Sequence, residues 1–242
     1  MPSAEAGSRV GSGTARTHAL WLAAGLMVGF AVPFLGADRW RLPHNVYYGI
    51  YAITAVGFFL LWARATAQDL PAMLRRRRLA AVLLGLLCAA LLVLVVIRTE
   101  PPSSGVSGVA LFWDVLWRGV VYGAVDGLLL SAFPILAVFA ATDGSRLRAS
   151  RGGVVVVGIM ALLASMVMTA VYHLGYSDFR SPKLAKPVLG DVVWSAPTLL
   201  TLNPIGAPIA HAGLHVAAVL RAPQTETFLP PHRGPAPSDV DN

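Results

Sequence analysis

Arg75-Arg76-Arg77-Arg78-Leu79-Ala-Ala-Val-Leu-Leu-Gly-Leu-Leu-Cys88-Ala-Ala-Leu-Leu-Val-Leu-Val-Val-Ile97 is the stretch whose reading decides the fold. The 19 residues from Leu79 to Ile97 contain no charge and no proline. As an α-helix such a run is about 28 Å long, against about 30 Å for the hydrocarbon core of a bilayer. Four consecutive arginines ahead of an apolar run mark the cytoplasmic flank of a membrane span.

Outward from this run the pattern repeats. Apolar segments cover 18–36, 45–63, 79–97, 109–141, 153–176, 187–202 and 204–220. The expected fold is all-α, a polytopic transmembrane helical bundle of about seven spans occupying residues 18–220. The segment 109–141 is too long for one upright span, so it is either strongly tilted or an interfacial helix running into a span. Pro134 is a candidate kink. Asn203-Pro204 reads as a tight turn between the last two segments. Residues 1–17 are small and polar, and 221–242 are rich in proline; both read as disordered tails.

Composition agrees. The chain has 242 residues, of which 56% are hydrophobic and 13% charged; a soluble domain is about 25% charged. The net charge of +7 sits in loops and tails, which excludes a nucleic-acid-binding surface and leaves membrane lipids as the expected partner. Cys88 is the single cysteine, so neither an internal disulfide nor a cysteine-based metal site can form. With the loops holding Arg64 and Arg75–Arg78, and Arg146, Arg148 and Arg151, on the inside, the chain is expected in the cell membrane with a cytoplasmic N-terminus.

Against this apolar background the ionisable residues stand out. His211 and His215 lie four apart in Ala207-Pro-Ile-Ala-His211-Ala-Gly-Leu-His215-Val-Ala-Ala-Val-Leu220. On a helix their rings share a face, rotated by about 40° and separated by about 6 Å. Buried ionisable groups in a membrane are expensive unless they pair, line a wet cavity or bind a ligand. Asp114 and Arg118, also four apart, read either as a self-neutralising ion pair or as a held water-activating carboxylate. His173 ends its segment, where a histidine is either an interfacial anchor or a site residue. Asp114, Arg118, His173, Asp191, His211 and His215 fall at similar depth, whereas Asp126 lies deeper and is expected in a separate contact. Gly119, Gly123 and Gly127 form a ridge on which another helix can pack closely.

These motifs resemble the CAAX-processing and bacteriocin-processing (CPBP) intramembrane proteases. That family carries a Glu-Glu-x-x-x-Arg-Gly helix, a Phe-x-x-x-His helix and a His-x-x-x-Asn helix. Trp113-Asp114-Val-Leu-Trp-Arg118-Gly119 looks like the first, Thr169-x-x-x-His173 the second and His211-x-x-x-His215 the third, in the family's order. The resemblance covers residues 109–220. Trp113 stands where the family has its principal glutamate, Asp114 replaces the second, Thr169 the phenylalanine and His215 the asparagine.

The resemblance implies an intramembrane endopeptidase acting on a membrane-embedded peptide or protein, with Asp114 as base and Arg118, His173, His211 and His215 around it. Absence of the first glutamate equally fits a non-catalytic relative, a scaffold or immunity-type protein. Asp114 with His173, His211 and His215 also offers a ligand set for a divalent metal such as zinc, since histidines at i, i+4 are the ligand half of a His-Glu-x-x-His helix. Haem ligation by His173 with one of the pair, or transport along the intramembrane charges, are further readings.

Overall fold

The computed structural model describes residues 7–225 and 227–230. Among them every regular element is helical. Helix α1 is Gly7–Pro33, extended by a π-helical turn Phe34–Arg39. Next come α2 (His44–Ala65), the short α3 (Leu70–Arg75) and α4 (Arg78–Thr99). The long α5 runs Gly108–Ala141. Helices α6 (Arg151–Leu174), α7 (Ala185–Thr201) and α8 (Gly206–Arg221) complete the chain.

Each of the seven apolar segments coincides with one long helix. Five helices, Ala15–Arg39, His44–Ala65, Arg78–Thr99, Gly108–Ala141 and Arg151–Leu174, are long and apolar enough to cross a membrane. At 17 and 16 residues, α7 and α8 are shorter. The surface is built for an apolar solvent: α4 alone exposes Leu79, Leu83, Leu86, Leu87, Leu91 and Leu94. This is the make-up of a multi-pass membrane protein, with polar groups turned inward and hydrocarbon outward.

Helix α1 begins at Gly7, within the polar segment 1–17; residues 1–6 lie outside the described ones. The start of the C-terminal tail is not free: Leu229 is buried against Ala218 and Val219, and Phe228 packs on two apolar clusters. Residue 226 and residues 231–242 lie outside the description. The segment 109–141, expected to be strongly tilted or interfacial in its first part, lies within one helix. It is one continuous 34-residue helix, mostly buried, with π-helical turns at Val115–Val121 and Gly127–Ala132. Pro134 sits two residues past the end of the second π turn, where the wider hydrogen-bond spacing already departs from the α ladder that proline would interrupt.

Helix α5 is the axis of the bundle, in contact with α1, α2, α6, α7 and α8, while α8 is wedged between α4, α5 and α7. Glycines decide how close these helices come. A Cβ on Gly119 would meet Val216 at 2.9 Å, one on Gly123 the Cα of Ala212 at 2.8 Å, and one on Gly127 the backbone of Ala207 and Pro208 at 2.7 Å. The expected glycine ridge therefore lies flat on α8. On the other side of α8, Gly213 presses on Ala89 and Gly85 on Gly206 and Ile209. Lipid supplies no hydrophobic drive between helices, so such close backbone packing is the main source of cohesion.

The α7–α8 connection is tied down by one side chain. Leu202 adopts a left-handed backbone (φ 53°), turning the chain at Asn203-Pro204. Buried Asn203 donates to the carbonyls of Leu74 (3.0 Å) and Arg76 (2.7 Å) and accepts from the amide of Ile205 (3.0 Å). That anchors the turn to the arginine-rich loop and fixes where α8, and hence its histidines, begins.

Candidate functional site

The glycine ridge carries Asp126 into α8. Gly123 and Gly127 bracket it on α5, and their missing side chains let the backbones close until the aspartate faces His211 and His215. Asp126 Oδ2 lies 3.7 Å from His211 Nε2 and 3.6 Å from His215 Nε2. The two imidazoles are stacked, 4.9 Å between centroids and 20° between planes, as the i, i+4 spacing requires. All three side chains are buried.

Ring packing sets their orientation. Trp194 of α7 lies 4.4 Å from the His211 ring, and Tyr122 of α5 lies 5.4 Å from the His215 ring. Asp126 Oδ1, His211 Nδ1, His215 Nδ1 and Trp194 Nε1 are all buried without a hydrogen-bond partner. Leaving such groups unpaired costs about 1–3 kcal/mol each. Four of them in one place mark a spot shaped for something other than packing.

The three side chains open onto a cavity of about 380 Å³. Its walls are apolar residues such as Leu92, Val95, Leu189, Val193 and Leu214, with Lys186 and Thr99 also on the lining. His173 lines it too, tethered through Nδ1 to the carbonyl of Thr169 at 2.8 Å, which leaves Nε2 as its free nitrogen. Phe228, Leu229 and Pro230 of the tail complete the wall. Behind His215 the hydroxyls of Tyr47, Tyr122, Tyr172 and Tyr176 form a connected set: Tyr47 with Tyr176, Tyr122 with Tyr172, and Tyr172 with Tyr176 at 2.8 Å.

Thus the expected site is only partly assembled as the sequence suggested. His173, His211 and His215 share one cavity. Asp114 and Arg118 do not line it. They form an ion pair (3.1 Å), and Arg118 also donates to the carbonyl of Pro223 (3.1 Å), which holds the tail in place. Of the two readings of that pair, the geometry is that of the self-neutralising one.

The carboxylate at the histidines is Asp126, which its greater depth along the helix suggests for a separate contact. Asp126 lies three turns along the helix from Asp114, at the level where antiparallel α8 presents His211. The four-residue glycine step that ends at Gly127 was the signal that could have found it. The metal-competent group among the described residues is accordingly Asp126 with His211 and His215, in place of Asp114 with the histidines.

Asp191 also stands apart from the cavity lining. Its Oδ1 accepts from Ser131, Ser165 and Ser195 at 3.0 Å each and from Thr169 at 3.2 Å. This buried hydroxyl cage joins α5, α6 and α7. Thr169 belongs to it.

Comparison of the chain with protein families, with curated proteins and with solved structures finds no match.

Proposed function

We propose that this chain is an intramembrane hydrolase, resembling the CPBP endopeptidases, seated in the cell membrane with its N-terminus in the cytoplasm. The observation that carries the reading is the convergence of Asp126, His211 and His215, with unpartnered polar atoms, on an apolar cavity. A water held between the two Nε2 atoms and the carboxylate lies beside a proton acceptor in a dehydrated pocket, the arrangement that general-base hydrolysis needs. The apolar walls suit a membrane-embedded peptide, and His173 on the same wall is placed to donate to the oxyanion or leaving group.

The test is cleavage of a panel of transmembrane reporter peptides in proteoliposomes, read by mass spectrometry. Asp126→Asn and His211→Ala abolish cleavage, His173→Ala lowers it at least tenfold, and Asp114→Asn leaves it intact. Cleavage by Asp126→Asn at the wild-type rate refutes the assignment.

One observation favours a second reading. Trp113, at the family's principal glutamate position, is exposed on the outside of the bundle, so the usual base has no counterpart inside. A non-catalytic relative keeps the cavity as a binding site without turnover, and absence of cleavage across the whole panel supports it.

A further inference from the structure

We infer that Asp126 Oδ2, His211 Nε2 and His215 Nε2 are the protein ligands of a single zinc ion, with the fourth position open to the cavity. The spacing is the first argument. At 3.6 and 3.7 Å the carboxylate oxygen is too far from either nitrogen for a hydrogen bond, which needs about 2.7–3.2 Å. Ligands at about 2.0–2.1 Å from a tetrahedral zinc lie about 3.3–3.4 Å apart. The two carboxylate-to-nitrogen edges need only a small inward movement of the side chains, and all three donor groups lie within 4.8 Å of one another. An octahedral ion sets adjacent ligands at about 3.0 Å, further from what is seen.

Charge is the second argument. A carboxylate that is 3% exposed inside an apolar bundle needs a counter-charge, because a buried ion without one is costly. A divalent cation supplies the missing charge, and two nitrogens with one carboxylate oxygen form a donor set that zinc takes readily. Trp194 and Tyr122, packed on the two imidazoles, hold the rings in place where hydrogen bonds do so at other metal sites.

The fourth side of the group is the cavity itself, so a water can complete the shell. Zinc held there would lower the pKa of such a water towards neutrality. Asp126 is then a ligand, and the free Nε2 of His173 is the nearest imidazole left to accept a proton.

The inference rests on the same residues as the hydrolase reading, but its readout needs no turnover. Detergent-purified full-length protein is stripped with a chelator, re-equilibrated with micromolar zinc or ferrous iron, desalted and assayed by elemental analysis. One zinc per wild-type chain is expected, falling at least fivefold in Asp126→Asn, His211→Ala and His215→Gln and unchanged in His173→Ala. Each variant's melting curve is recorded, and cobalt substitution gives tetrahedral visible bands in wild type that the ligand variants lose.

Zinc retained by a folded His211→Ala/His215→Gln double variant, no uptake by wild type, or uptake of iron in preference to zinc overturns the inference. Zinc uptake without cleavage removes hydrolysis and keeps the ion; cleavage without zinc does the reverse.

Discussion

Replacing Gly123 by alanine is the most direct test of how the glycine ridge builds the site. The added Cβ falls 2.8 Å from Ala212 Cα and 3.1 Å from both His211 O and His215 Cβ, where ordinary contact begins at 3.4 Å. Two of those neighbours are backbone atoms and the third a Cβ, so no rotamer change relieves the overlap. Helices α5 and α8 must part by at least about 0.6 Å at this level. Overpacking of this kind costs about 1–3 kcal/mol, while alanine in a helix returns about 1 kcal/mol relative to glycine. The net expectation is a loss of up to about 2 kcal/mol.

Gly158 of α6 is the control, because a Cβ there meets nothing within 4 Å. Gly158→Ala keeps the propensity gain without the clash, so the two substitutions change stability in opposite directions. Tryptophan-fluorescence melting of both variants in one detergent measures this. The same displacement stretches the gap between Asp126 and the two imidazoles, so zinc content of Gly123→Ala falls with its melting temperature. A Gly123→Ala protein melting at or above wild type, with full zinc, refutes the account of the ridge.

Three further outcomes follow from particular contacts. Asn203→Ala removes the donors to Leu74 O and Arg76 O and costs about 2–3 kcal/mol in unfolding experiments; a loss below about 0.5 kcal/mol contradicts its anchoring role. Asp191→Ala strips the shared acceptor from Ser131, Ser165, Thr169 and Ser195. It destabilises by about 3 kcal/mol, well beyond Asp114→Ala, whose partly exposed ion pair is worth about 1 kcal/mol or less; equal melting temperatures for the two disprove this ranking. Arg118→Ala frees Pro223 and speeds limited proteolysis between 223 and 230 with little change in melting temperature; an unchanged digestion profile shows that the tail is held by other means.

The helices were legible because each is written along one segment of chain: the charge-free run 79–97 has α4 in it, and Asn203-Pro204 has the turn. The glycine ridge was legible for the same reason, as a four-residue period. The partner of that ridge was not, because which residues meet across two helices depends on rotation and relative height, which neither helix encodes alone. Asp114 looked like the site's acid since it stands beside Arg118 in sequence. Twelve residues on, past a π-helical turn that no composition signals, Asp126 is the one at the height of His211. The Asp191 cage was invisible for a related reason. Its hydroxyls come singly from α5, α6 and α7, and an isolated serine in an apolar run carries no pattern. The seat of Phe228 and Leu229 was not legible either, because proline content says nothing of a phenylalanine and a leucine meeting an apolar cluster.

That seat has a consequence for whatever enters the cavity. Phe228 and Leu229 are attached to the end of α8 by a handful of residues, so the protein's own C-terminal segment is a permanently tethered competitor. Short flexible tethers give local concentrations in the millimolar range, by order of magnitude. A guest that displaces that wall must bind tightly enough to outcompete it, and shortening the chain after Arg221 opens one side of the chamber.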